Sequence, residues 1–155
     1  MKKMIVFIIV AVMLFTVVAC GDNATNGSSQ GVLIVDGQTI KSNTTIYPEY
    51  ATVSLCDVVS ALGFELSWNG TDSASFYCNG IKYEICISQK TLIREGEDVN
   101  YLLCAPGNAH YICNVVEDVL IVDNNTLYCL FSTFINYPIN VTVDHENNSL
   151  IITRK

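Results

Sequence analysis

The chain has 155 residues, of which 50% are apolar, enough for one modest domain with a hydrophobic core. Eight Lys and Arg residues stand against fifteen Asp and Glu, a net charge of −7, and the basic residues are scattered along the chain. This excludes a basic surface able to neutralise phosphates, so nucleic acid is not an expected partner.

Residues 1–19 have the organisation of an export signal. Lys2 and Lys3 give a positive start, and residues 5–18 form an uncharged apolar run. A run of fourteen residues suffices for the core of a signal peptide. It falls short of the roughly 20 residues that span a bilayer as a helix. The sequence therefore predicts a cleaved signal peptide and export from the cytoplasm.

The signal ends in Val17-Val18-Ala19-Cys20, which resembles the lipobox of bacterial lipoproteins. A lipobox needs the cysteine because its thiolate is the nucleophile that accepts a diacylglyceryl group. Two or three acyl chains, at about 0.8 kcal/mol per buried CH₂, hold a protein stably on a membrane. We therefore expect lipid on Cys20 to anchor the protein to the cell membrane on its extracytoplasmic side. The alternative is an ordinary cleaved signal peptide, with Cys20 joining a disulfide.

Residues 20–31 are predicted to be a flexible tether, because after Cys20 they contain only small and polar side chains. Without Lys2 and Lys3, six basic residues remain against fifteen acidic ones, a net charge of −9. Anionic headgroups repel such a chain, so its membrane attachment must be covalent or inserted. Residues 32–155 are left as the exported domain.

The exported domain begins with signals for a hairpin and a helix. Asp36-Gly37 separates two strand-like runs, residues 32–35 and 38–41, as in a two-residue type I′ turn. Ser54 and Asp57 have the spacing of a capping box, and Gly63 is placed to end the helix that they start. This helix has one apolar face, formed by Leu55, Val58, Val59 and Leu62.

Residues 64–87 predict three strands. Residues 64–68 alternate as a strand that places Trp68 on a core face, and a turn follows. Asn79-Gly80 then joins residues 73–78 to 81–87, so that residue 78 faces residue 81. One face of this hairpin is apolar, with Ala74, Phe76, Cys78, Ile81, Tyr83 and Ile85. In this register Cys78 and Cys86 are too far apart for a disulfide, which tolerates about 7 Å between Cα atoms.

The C-terminal part repeats much of this order. A weaker helix follows residues 127–130 and ends before Pro138, and residues 139–143 and 149–153 form strands around a turn. The apolar face of this helix contains Leu130, Phe134 and Tyr137. A shift of 75 positions places Leu55 on Leu130. The sequence therefore predicts an α+β fold of two degenerate strand–helix–strand–strand repeats, in which an antiparallel sheet packs against two short helices.

The first unit resembles a repeat of the copper amine oxidase N-terminal-like (stalk) domain, which is common in exported bacterial proteins. Residues 53–56 (V-S-L-C), 61–63 (A-L-G) and 68–70 (W-N-G) correspond to the family motifs V-P-L-R, A-L-G and W-[DN]-G. Residues 35–37 (V-D-G) match its V-[ND]-G turn, and the resemblance covers residues 32–153.

This chain departs from the family at the Pro and Arg of the V-P-L-R motif. Ser54 and Cys56 replace them in the first unit, and Cys129 and Phe131 in the second. The resemblance implies the stalk fold carried on a lipoprotein. It does not imply oxidase activity, because that chemistry needs three copper-binding His residues and the chain has two.

Two interpretations of the six cysteines after Cys20 stay open. Outside the membrane they could form three disulfides. Several also lie at apolar positions, as buried free cysteines do.

One group of residues has metal-binding potential. Cys104, His110 and Cys113 could bind a metal ion together, with Glu117 and Asp118 following, although their spacing matches no standard zinc pattern. The alternative for this segment is a hairpin loop around residues 105–108.

The sequence contains no recognisable arrangement of nucleophile, base and orienting residue, so we expect no enzyme, no catalytic residue and no cofactor. We expect a non-catalytic, surface-tethered lipoprotein that displays its domain to a surface protein or a wall polymer. The alternative is an extracytoplasmic metal- or small-ligand-binding lipoprotein that uses Cys104, His110 and Cys113.

Overall fold

The structure is a computed structural model that describes residues 27–97, 101–102 and 113–155. The predicted signal peptide, Cys20, Cys104 and His110 lie outside these residues. The described strands, in chain order, are β1 (Ser29–Gln30), β2 (Val32–Val35), β3 (Gln38–Ile40), β4 (Thr45–Ile46), β5 (Ala51–Ser54), β6 (Ser67–Asn69), β7 (Ser73–Cys78), β8 (Ile81–Cys86), β9 (Thr91–Arg94), β10 (Tyr101–Leu102), β11 (Cys113–Val116), β12 (Val119–Asp123), β13 (Ile139–Asp144) and β14 (Ser149–Arg154). The described helices are α1 (Leu55–Ala61) and α2 (Asn124–Cys129), the latter followed by a π-helical turn, Leu130–Phe134.

These strands form three sheets. The first has the order β1-β4-β5-β12-β11, the second β10-β9-β8-β7-β6, and the third β13-β14-β2-β3. Neighbouring strands are antiparallel except for β14 and β2, which pair in parallel with Leu150 opposite Leu33. With two short helices this is an α+β fold. The expected antiparallel sheet is corrected to three sheets that include one parallel pair.

Two predicted hairpins are confirmed. A type I′ turn needs a positive φ at both central residues. Asp36-Gly37 has φ values of 48° and 81°, and Asn79-Gly80 has 52° and 78°. In the second hairpin Cys78 lies opposite Ile81, as predicted. These turns therefore fix the register of β2 with β3 and of β7 with β8.

The start and the buried face of α1 are also confirmed. The Ser54 hydroxyl accepts a hydrogen bond from the Asp57 N–H at 3.3 Å, which satisfies one amide of the first helical turn. The predicted apolar face is at most 3% exposed along its length, at Leu55, Val58, Val59 and Leu62. The local pattern of the sequence and the burial in the fold agree here.

The predicted position of the second helix is wrong. It begins at Asn124, because the buried Asp123 carboxylate accepts a hydrogen bond from the Thr126 N–H at 2.6 Å and caps the chain there. The helix then widens into the π-helical turn, where the Ile135 N–H donates to the Leu130 carbonyl at 2.9 Å. Leu130, expected near the start of the helix, lies after its end.

Two predicted boundaries also need correction. Ser29–Gln30, which the sequence assigns to the tether, forms β1 and pairs with β4. The strand predicted over residues 64–68 begins only at Ser67, while Phe64 and Leu66 pack against the core outside any strand.

The core is one continuous hydrophobic cluster that runs from Leu33 in β2 to Ile152 in β14. An aromatic group joins the second sheet to the C-terminal helical segment: Phe64, Phe76, Tyr83, Phe134 and Tyr137. The Tyr83 hydroxyl also donates a buried hydrogen bond to the Ile135 carbonyl at 3.3 Å. These contacts hold the hairpin of β7 and β8 against the segment that follows α2.

Candidate functional site

An open groove of about 390 Å³ lies where the first turn of α1 meets β6 and the start of β12. We call it the Trp68 groove. It is lined by Gln30, Lys41, Ser42, Asn43, Ser54, Cys56, Asp57, Trp68, Ile87, Asp118, Val119 and Leu120. The lining is contributed by segments far apart in the chain, so the fold itself creates the groove.

Trp68 is the largest side chain in this groove and is 54% exposed. It lies opposite Ala74 in β7, which lies opposite Ile85 in β8. Paired residues point to the same side of a sheet, so Trp68 shares the face of two residues that are 0% exposed. However, β6 is an edge strand of the second sheet, so the Trp68 indole lies at the margin of the core and is half exposed. The face predicted for Trp68 is therefore right, and its predicted burial is wrong.

Several polar side chains of the groove have no partner within the part of the chain that the structure describes. Lys41 and Asn43 are exposed in the segment between β3 and β4, and Asp118 is exposed in the turn between β11 and β12. None of these side chains forms a hydrogen bond or an ion pair with another described residue. Their donors and acceptors are available to a ligand.

Cys56 supplies the only thiol among the lining residues of the groove, and it is not activated. Burial, together with the neighbouring Asp57 carboxylate that repels a thiolate, raises the pKa of the Cys56 thiol to about 11. The nucleophilic form of cysteine is the thiolate, so Cys56 is inert at neutral pH. In the groove it is a packing residue of the first turn of α1.

A second, wider depression of about 630 Å³ adjoins the groove. We call it the tyrosine depression, and its lining is Ser28, Ser29, Gln30, Asn43, Thr44, Thr45, Tyr47, Tyr50, Thr52, Asn114, Val116 and Ile121. Gln30 and Asn43 line both, so the two form neighbouring parts of one surface. The rings of Tyr47 and Tyr50 stack with their centroids 4.4 Å apart. No lining residue of the depression carries a formal charge.

The residues that the sequence singles out for lipid or metal are not brought together in the described structure. Cys20, Cys104 and His110 lie outside the described residues, and Cys113 is buried in β11 opposite Val122. Within residues 27–97 and 113–155, no group of three His, Cys, Asp or Glu side chains is placed to hold a metal ion.

Glu117 and Asp118, which follow Cys113, form the tight turn between β11 and β12. Both have a positive φ, 49° and 61°, which a type I′ turn requires. Their first role is therefore conformational. Asp118 also reaches the Trp68 groove, a location that its sequence neighbours do not reveal.

The expected separation of Cys78 and Cys86 is confirmed. Cys86 lies opposite Ser73, at the other end of β7 from Cys78. Both carry free thiols, as does Cys56. Burial raises the pKa of the Cys78 and Cys86 thiols as well, which leaves them protonated at neutral pH.

Sequence reasoning missed the groove because its lining is assembled from six segments. The one available signal was Trp68, the sole tryptophan, which the strand pattern assigned to the core. Trp68 directly precedes the turn-forming pair Asn69-Gly70, and this position could have placed it near the end of a short edge strand, since β6 ends at Asn69.

Comparison of the chain with protein-family models, curated proteins and solved structures gave no match. Within the described residues, neither helix has the length and apolar content needed to cross a membrane.

Proposed function

We propose that the protein is a non-catalytic bacterial lipoprotein, anchored by lipid on Cys20, whose domain, which begins with β1 at Ser29, binds a surface protein or wall polymer outside the membrane. The observation that carries the binding role is the exposure of Trp68 within a groove. Apolar rings are usually buried, and a half-exposed indole in a concave surface is a feature of binding hot spots.

The chemistry of the groove favours binding over catalysis. The Cys56 thiol is protonated at neutral pH, and no histidine lines the groove in the described structure. His145 is exposed in the turn between β13 and β14, at a position that does not line the groove. A nucleophile without a neighbouring base has nothing to activate it.

We also propose the stalk-like repeat as the origin of the fold. In both halves a strand leads through a capping residue into a helix: β5 through Ser54 into α1, and β12 through Asp123 into α2. A hairpin follows each helix. Asn124, the first residue of α2, lies 69 positions after Leu55, the first of α1, so the proposed repeat is offset by 69 at its helices. The shift of 75 positions expected from the sequence, which places Leu55 on Leu130, is wrong for the helices.

The two strands that lead into the helices also pair with one another, with Val53 opposite Val122. This arrangement supports the proposal, because two such units would each bury the other's apolar face. It is the relation expected of two copies of one supersecondary unit.

The anchoring is tested by replacing Cys20 with Ala in the full chain. We expect the wild-type protein in the membrane fraction, with an N-terminal cysteine that carries acyl chains in mass spectrometry. The variant should be released or accumulate as uncleaved precursor, because it has no thiol to accept lipid. Cys86→Ser, which removes a thiol of the β7–β8 hairpin, is the control and should fractionate like the wild type.

A Cys20→Ala protein that is processed and remains with the membrane as the wild type does would refute the lipid anchor. The binding role would then need another mode of surface display.

A further inference from the structure

The Trp68 groove and the tyrosine depression together form an extended surface with aromatic rings in both of its parts. Trp68 lies in one part, the Tyr47 and Tyr50 pair lies in the other, and Gln30 and Asn43 are shared between them. A surface built in this way suits a ligand that is longer than one compact molecule and presents apolar faces at intervals.

The polar groups that line this surface offer both donors and acceptors of hydrogen bonds. Lys41 donates, Asp118 accepts, and the amides of Asn43 and Gln30 do both. A sugar hydroxyl also donates and accepts, while the C–H face of a pyranose ring is apolar and packs flat on an aromatic ring. A glycan chain alternates these two properties along its length.

The charge of the surface restricts the type of chain. Lys41 is the only basic residue of the groove, against Asp57 and Asp118, and the tyrosine depression has no charged lining. A polyanion would meet a net negative surface on a chain that is itself acidic. An uncharged glycan meets no such repulsion.

We propose that the continuous surface of the Trp68 groove and the tyrosine depression is a binding site for an extended, uncharged glycan strand. Trp68 stacks against one sugar, Tyr47 contacts another further along the chain, and Asn43 and Gln30 hydrogen bond to the hydroxyls between them. This rests on the proposed function and specifies its ligand class.

Trp68 gives the test a direct signal, because it is the sole tryptophan of the chain. The full-length lipoprotein in detergent is titrated with a β-1,4-linked N-acetylglucosamine tetramer, and its tryptophan fluorescence is followed. We expect a saturable change in intensity and emission maximum. The disaccharide should bind at least about tenfold more weakly than the tetramer, since a shorter chain makes fewer contacts along an extended surface.

Calorimetric titration of variants locates the site. We expect Trp68→Ala to lose at least about thirtyfold in affinity for the tetramer, the size of a binding hot spot, and Tyr47→Ala to lose several-fold. The matched control is Tyr77→Ala, which removes a 63% exposed aromatic side chain from the opposite face of the same sheet and should not change affinity. Circular dichroism of each variant shows that the fold is retained.

The proposal is overturned if the tetramer gives no saturable signal, or if Trp68→Ala binds it as the wild type does. Preferential binding of an anionic poly(glycerol phosphate) chain or of a basic decapeptide in the groove would also overturn it. In those last two cases the site would still bind a partner, so the display function would stand while its ligand class changed. The attachment of the protein to the membrane is tested separately, by fractionation of the Cys20→Ala variant.

Discussion

Asp36 connects a turn near the start of the domain to its last strand. Its carboxylate accepts hydrogen bonds from the Arg154 N–H, at 3.0 Å, and from the Arg154 guanidinium. These bonds and the positive charge lower the pKa of the Asp36 carboxyl below its usual value of 3.8. The same residue adopts the positive φ that the β2–β3 turn needs. One side chain therefore supports both the turn and its attachment to β14.

Stability should fall in acid, and Asp36 should account for part of the fall. Because its pKa is lower in the folded state, its contribution is fully present above the unfolded value and is lost as pH falls through the folded pKa. Asp72 and Asp144, with pKa values lowered by hydrogen bonds from Ser88 and Asn147, act in the same direction. We expect urea midpoints to drop below about pH 4, and Asp36→Asn to show a shallower drop over that range. Equal slopes for the two proteins would show that the Asp36–Arg154 contact does not contribute.

Leu62 and Trp68 should respond differently to truncation. Leu62 is 3% exposed within the core, so Leu62→Ala should cost about 2–5 kcal/mol of unfolding free energy. Trp68 is 54% exposed, so Trp68→Ala should cost roughly 1 kcal/mol or less. Urea unfolding followed by circular dichroism measures both. A large loss at Trp68 would mean that its ring supports the core and is not available to a ligand.

At the scale of the element, α1 shows how a short helix is defined at both ends. Its start is capped by Ser54, and its end forms a Schellman motif. There the Phe64 N–H donates to the Val59 carbonyl at 3.2 Å and the Gly63 N–H to the Ser60 carbonyl at 3.0 Å. Gly63 has a φ of 90°, which L-residues with a Cβ rarely adopt.

Gly63→Ala tests this end of the helix. A Cβ at residue 63 would meet no atom within 4 Å, so any cost comes from the backbone conformation alone. We expect a loss of about 1–2 kcal/mol in unfolding free energy, and a smaller loss for Gly63→Asn, since Asn tolerates positive φ better. Ser60→Ala, at an exposed position of the same helix, is the control and should be close to neutral. A neutral Gly63→Ala would exclude the motif.

Elements with strong local signals could be predicted from the sequence. A two-residue type I′ turn needs a positive φ at both central residues, and Asp-Gly and Asn-Gly are the pairs that adopt it most readily. Both hairpins could therefore be predicted in register from Asp36-Gly37 and Asn79-Gly80. The start of α2 was missed because Asp123-Asn124-Asn125 is polar in the manner of a turn. The Asp123 carboxylate is instead buried and caps the start of α2. This burial depends on the strands that pack around Asp123.

At the scale of the whole molecule, the sequence predicted the α+β class but neither the three sheets nor the candidate site. The pairing of β2 with β14 joins segments more than a hundred residues apart, and no local pattern encodes which distant strands become neighbours. The groove could not be predicted for the same reason. The exposure of Trp68 depends on β6 lying at the end of its sheet, although the period-2 pattern of its strand is that of a core residue.

The central position of β2 in the third sheet has a mechanical consequence. β2 is hydrogen bonded to β14 on one side and to β3 on the other. Just before it, the Asn148 side-chain amide donates to the Gln30 carbonyl at 2.6 Å, and the Gly31 N–H donates to the Thr44 carbonyl at 2.9 Å. Tension applied through the residues that precede Gly27 would pull β2 along its own axis. Such a pull loads the ladders on both flanks in shear, so their hydrogen bonds share the force and cannot be broken one after another. A domain held from its N-terminal side in this way resists extraction of its first long strand, and its lifetime under tension is set by the rate of unfolding.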